Sequence, residues 1–134
     1  MTDSSSASKS FKIIHWIVVS LLFIMMAQPT YDNINALLTG SIVMGEVSIK
    51  VSVSKMSLHI LATLVGWVGL WWFIKRQKKG AFVSIAAHFL GLVATLTQTP
   101  EMLKVIPPVA IAIFFVVLLI ITLGPVWSFK DQYS

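Results

Sequence analysis

The sequence contains no cysteine, which excludes disulfides, thiolate metal sites, iron–sulfur clusters and covalent c-type haem attachment. Charge is scarce as well. Asp, Glu, Lys and Arg make up 11% of the chain, against about 25% in a soluble domain, so there is too little polar cover for a globular surface in water. Disorder is excluded by the same composition, because disordered chains are poor in hydrophobic residues. No Asp, Glu, Lys or Arg falls well inside an apolar stretch. Buried ionisable groups are the usual mark of ion pathways and proton relays, and their absence argues against a carboxylate-driven antiporter, an acidic-ring proton channel or a voltage sensor. Paired carboxylates and Ser–His–acid triads have no basis in these stretches either.

What the chain has in abundance is hydrophobic residues, at 57% of its 134 positions. A membrane helix needs about 20 mainly apolar residues, and four stretches approach that length: residues 11–27, 56–74, 81–98 and 105–127. The expected fold class is all-α, an integral membrane four-helix bundle. Lys9 and Lys12 before the first apolar run give it the look of a secretory signal, but Met25 is a poor residue for the third-last position before a cut at Ala27. An uncleaved anchor is the better reading. Lysine and arginine set the orientation. Lys9, Lys12, Lys75, Arg76, Lys78, Lys79 and Lys130 fall on one side, while Lys50, Lys55 and Lys104 share the other with Asp32, Glu46 and Glu101. The N- and C-termini are therefore expected in the cytoplasm. This asymmetry accounts for the net charge of +5 without a nucleic-acid partner.

Residues 1–10 read as a disordered polar tail and residues 129–134 as a cytoplasmic tail. The 75–80 connection is a tight basic turn, so the second and third spans should be antiparallel neighbours. Residues 28–55 form an external loop that opens on turn-like Pro29, Thr30, Tyr31, Asp32 and Asn33. From Val47 to Ser54 apolar and polar residues alternate, the period of a half-buried strand, with no pairing partner evident. Pro100, Pro107, Pro108 and Pro125 sit at span ends as punctuation. Trp16, Trp71, Trp72 and Trp127 lie near the cytoplasmic span ends and match an interfacial belt. Trp67 alone is mid-span.

All three histidines fall within apolar spans, and histidine is the usual axial ligand of haem and a common metal ligand. His15 lies about one turn from the cytoplasmic end of its span, and His88 about two turns in. The two depths differ by roughly 5 Å at the rise of a helix, close enough for two helices to clamp a flat haem. His59 lies near the opposite surface. Ser84, His88, Gly91 and Thr95 share one helix face, as do His59, Thr63, Gly66 and Leu70. Polar and small residues in a membrane helix usually face protein rather than lipid, so helix packing explains these faces as readily as a cofactor does.

Three segments in order, "IIHWIVVSLLFIM", "LHILATLVGWVGLWWFIKRQKK" and "AAHFLGLVATLTQTP", resemble the first three helices of the bacterial cytochrome b561 family, over about residues 11–100. The resemblance implies a four-helix bundle in a bacterial inner membrane, holding b-type haems that pass electrons from quinol or to a membrane-protein partner. His15 and His59 then stand where the family places one ligand for each haem. The remaining family ligands come from the fourth helix, and the fourth span here has no histidine. Haem b would then require His88 as a substitute ligand beside His15. The other expectation is a relative that has kept the bundle and lost its haems. Two further readings use no haem: a non-catalytic accessory or assembly subunit, and a small solute transporter.

Overall fold

The computed structural model describes residues 2–134, with side chains from Ser8 onward. The expected tail, residues 1–10, thus lies partly outside the described residues; from Thr2 its backbone is already helical. Helix α1 runs Thr2–Thr39 and is followed by strands β1 (Ser41–Met44) and β2 (Val47–Lys50). Helices α2 (Ser57–Ile74), α3 (Lys78–Gln98) and α4 (Pro108–Ser128) complete the bundle, with 3-10 turns at Pro100–Lys104 and Lys130–Gln132. Among the described residues, four helices are long and apolar enough to cross a membrane. The chain is an all-α four-helix bundle of the multi-pass membrane type.

The first span differs from its expected end. Residues 28–39, read as the start of a loop, continue α1 through Pro29. A proline inside a helix removes one backbone donor and tends to break the helix. Here Thr30 donates its hydroxyl to the Met26 carbonyl at 2.7 Å and accepts the Trp67 indole N–H at 2.9 Å, so the region is tied both along α1 and across to α2. Trp67 therefore packs within the bundle. Gly40, at φ +73°, ends the helix.

The alternating segment does find a partner. β1 and β2 pair antiparallel from Ser41↔Lys50 to Met44↔Val47, and Gly45 turns the hairpin at φ +59°. A positive φ at the first central residue belongs to the primed turns that match strand twist.

Helices α2 and α3 form the most closely packed pair. Their connection is tight enough to force Arg76 to φ 60°, a conformation that a side chain normally disfavours. Gly69 permits the approach, since a Cβ at that position would lie 2.7 Å from the Ser84 amide nitrogen and 2.8 Å from its Oγ. Helix α1 packs along α2, and α4 joins the bundle through Leu118, Thr122 and Pro125, the buried positions of that helix. The rest of α4 is apolar around its circumference, with Val109, Ile113, Val116 and Ile120 exposed. In a bilayer such a surface faces acyl chains.

Candidate functional site

The three histidines occupy three different chemical settings. His15 sits at the lysine-rich end, in an aromatic cluster drawn from α1, α2 and the segment after α4. Its ring stacks on Phe73 with centroids 5.4 Å apart and an angle of 8°, while Phe11 lies at 5.5 Å. His15 Nδ1 shares a 3.0 Å hydrogen bond with the Tyr133 hydroxyl. Only 1% of His15 is exposed, and Tyr133 is itself buried.

Tyr133 is held there by the backbone as well. The Ser134 N–H donates to the Arg76 carbonyl, and the Lys78 N–H donates to the Ser134 main-chain oxygen, both at 2.9 Å. Burial pushes the Tyr133 phenol up to about 12, with the Arg76 cation pulling the other way.

His59 belongs to a polar network at the opposite, hairpin end of the bundle. Its Nε2 shares a 3.0 Å hydrogen bond with the hydroxyl of fully buried Thr99. Asn33 of α1 donates to Thr63 Oγ1 at 2.8 Å, and Thr63 donates to the His59 carbonyl at 2.9 Å. Gln98, at the end of α3, accepts the Leu58 N–H at 2.9 Å and donates to Ser57 at 2.9 Å. The first turn of a helix has no internal acceptors for its N–H groups. Gln98 supplies one to α2, which has no side-chain cap of its own.

His88 differs from both in bordering an open cleft between α3 and α4; an unpartnered Nε2 it shares with His15. Its Nδ1 lies 2.7 Å from the Ser84 carbonyl oxygen. A carbonyl can only accept, so Nδ1 carries the proton, and in the neutral ring Nε2 is a bare acceptor. That nitrogen is buried and has no partner among the described residues. His88 lines two adjoining spaces. One, of about 110 Å³, lies between α1, α2 and α3 and is also lined by Asn33, His59 and Met26. The other is a cleft of about 440 Å³ between α3 and α4, with Gly91, Leu92, Ile111, Phe114 and Phe115 on its walls. A Cβ added at Gly91 would meet nothing within 4 Å, so this glycine opens space beside His88 rather than closing a helix contact. Pro29 borders both spaces.

The structure thus brings His59 and His88 to one cavity and sets His15 apart, whereas depth along the helices suggested the pair His15 and His88. His15 stacks on Phe73, level with Gly80 of α3, whereas the space beside His88 lies level with Met26, Pro29 and Asn33 of α1. The two histidines therefore differ in depth by roughly 12–16 Å at the rise of a helix, rather than by roughly 5 Å. A haem clamped by two of the three histidines does not fit this arrangement. His15 is enclosed by Phe11, Phe73 and Tyr133, and His59 Nε2 is engaged by Thr99. The space shared by His59 and His88 is smaller than a cavity of about 150 Å³ that holds benzene. The larger cleft is reached by a single histidine. Among the described residues no group of three or more His, Asp or Glu side chains could hold a metal ion.

Several residues of these sites were not visible as such in the sequence. Tyr133 stands in a short polar tail, and only its spacing of four from Phe129 hints at a shared buried face. Asn33 stands in what reads as a turn, and Thr99 carries no signal beyond its place before Pro100. The chain matches no family model, no curated protein and no solved structure. Function therefore has to be argued from the chemistry of the site itself.

Proposed function

We propose that this chain is a haem-free, cytochrome b561-like four-helix protein of a bacterial inner membrane that binds a neutral, hydroxyl-bearing amphipathic molecule of the quinol class between α3 and α4. The observation that carries this reading is His88 on the wall of an apolar cleft, with its Nε2 buried and unpartnered. A buried acceptor without a partner costs about 1–3 kcal/mol, and a ligand O–H would remove that cost. The walls supply Phe114 and Phe115 for a flat ring and aliphatic side chains for a tail. His88 itself lies 5.5 Å from the Phe114 ring. Because His88 offers an acceptor, a quinol, which has hydroxyl donors, is favoured over the corresponding quinone, which has none. With His15 and His59 engaged in packing and in the hairpin-end network, the chain acts as a binding subunit alongside an electron-transfer partner rather than as a cytochrome.

The test is binding of a quinol and a quinone of identical ring and tail to the purified protein in lipid nanodiscs. The quinol should bind more tightly, and His88→Leu should weaken it by about tenfold or more, from the hydrogen bond lost. Gly91→Leu, which fills the cleft, should weaken both ligands. Equal binding of the two forms, unchanged by His88→Leu, would overturn the proposal. So would a Soret band in protein from haem-replete cells that disappears on His15→Ala.

A further inference from the structure

A second groove between α3 and α4 lies at the lysine-rich end, far from His88 along α3. It encloses about 500 Å³ and is lined by Lys78, Phe82, Leu123, Val126, Trp127 and Lys130. Three of the other basic side chains at this end are laid against aromatic rings: Lys75 over Trp71 at 4.6 Å, Lys79 over Trp72 at 4.1 Å and Arg76 over Phe11 at 4.9 Å. Lys78 and Lys130 border the groove instead. Their placement is built by the fold, because the two main-chain hydrogen bonds of Ser134 to Arg76 and Lys78 pin the segment after α4 against the α2–α3 turn. Below the lysines the walls are apolar, and the exposures of Phe82 and Trp127, 59% and 85%, leave the groove open sideways.

We infer that this groove is a binding site for an anionic phospholipid. The phosphate would lie between the Lys78 and Lys130 ammonium groups, and an acyl chain would run along Phe82, Leu123, Val126 and Trp127. Two cations at one mouth complement a phosphodiester, and basic pockets between membrane helices bind anionic headgroups. The apolar walls have no use for a free phosphate and do suit a chain. An indole at the membrane surface also favours the headgroup level. This site shares no residue with the His88 cleft, so neither proposal depends on the other.

The experiment compares the full chain in nanodiscs of phosphatidylcholine with a minor fraction of phosphatidylglycerol, measuring which lipid survives mild delipidation by native mass spectrometry. Phosphatidylglycerol should be retained preferentially. Each lysine near an anionic surface contributes roughly fivefold, so Lys78→Gln with Lys130→Gln should lower the preference about twenty-five-fold. The Lys9→Gln, Lys12→Gln pair, both exposed on α1, should leave it within about twofold. Phe82→Ala with Trp127→Ala should reduce retention of the lipid, and millimolar inorganic phosphate should fail to displace it. Equal loss in the α1 pair would reveal general surface attraction and overturn the inference. Displacement by inorganic phosphate, or no preference in the parent protein, would overturn it equally. All four groove residues to be replaced are solvent-exposed, and unchanged thermal unfolding of the variants will separate lost binding from lost folding.

Discussion

Replacing Tyr133 with Phe removes one oxygen atom from the buried cluster at the lysine-rich end, and its cost can be worked from the structure. The hydroxyl is the hydrogen-bond partner of His15 Nδ1 at 3.0 Å, and His15 Nε2 already lacks one. The substitution therefore removes the only side-chain partner of the fully buried imidazole and leaves the Ile74 backbone as its remaining polar neighbour. An unsatisfied buried polar group costs about 1–3 kcal/mol, so Tyr133→Phe should destabilise the bundle by about that amount. Tyr133→Ala should cost more, toward the 3–5 kcal/mol typical of aromatic-to-alanine changes in a core, because Phe11, Phe73 and His15 lose a packed ring. Replacing both members of a hydrogen-bonded pair by apolar groups can be nearly neutral. The double variant His15→Leu, Tyr133→Phe should therefore be more stable than the sum of its single changes implies, by about 1 kcal/mol. Unfolding in mixed micelles by titration with sodium dodecyl sulfate, followed by helical circular dichroism, gives the four stabilities. Tyr31→Phe, at an exposed tyrosine, is the control and should be silent. If Tyr133→Phe is equally silent, or if the double variant is strictly additive, His15 is not held by Tyr133 and its assignment as a packing residue fails.

Glycine replacements on facing helices should act in opposite directions when assayed by thermal unfolding. Gly69→Ala drives a Cβ to 2.7 Å from the Ser84 backbone and should cost about 1–3 kcal/mol, whereas Gly91→Ala enters open space and should stabilise α3 by up to about 1 kcal/mol; a harmless Gly69→Ala would contradict the close α2–α3 contact. Alkaline titration of tyrosinate absorbance in a Tyr31→Phe background should place the Tyr133 phenol at about 12. Because that value is raised above the ordinary 10, the contribution of the neutral phenol to stability is fully present below pH 10 and is lost as the pH climbs through 12. Titration at the ordinary value would mean that the residue is not docked.

Much of the fold could be read from composition and run length. Helices α2, α3 and α4 follow apolar stretches bounded by Lys75–Gln77, Pro100 and Pro107–Pro108, where charge or proline makes continuation through a bilayer costly. The alternation after Glu46 was readable as a strand, but its partner β1 lies in residues without strict alternation, so the hairpin was not. The extension of α1 beyond Ala27 was hidden for a different reason. Pro29, Thr30, Asp32 and Asn33 are turn formers when their side chains bond their own backbone. In the bundle Thr30 and Asn33 instead bond Trp67 and Thr63 of α2, and that tertiary satisfaction keeps the chain helical.

The candidate site divides along the same line. Scarcity of charge, four apolar runs and histidines as the ionisable groups kept inside those runs are properties of the sequence by itself, because the cost of placing charge in hydrocarbon does not depend on which helix neighbours which. Which histidine borders the α3–α4 cleft was decided only by the tertiary structure. His15 acquires Tyr133 from 118 residues away, and His59 acquires Thr99 from 40 residues away. His88 is left with a local bond to Ser84 and an unpartnered nitrogen. Hydrogen bonds are short and directional, so the partner of a buried ring nitrogen is settled by how the helices turn and pack, which depth along one helix does not specify.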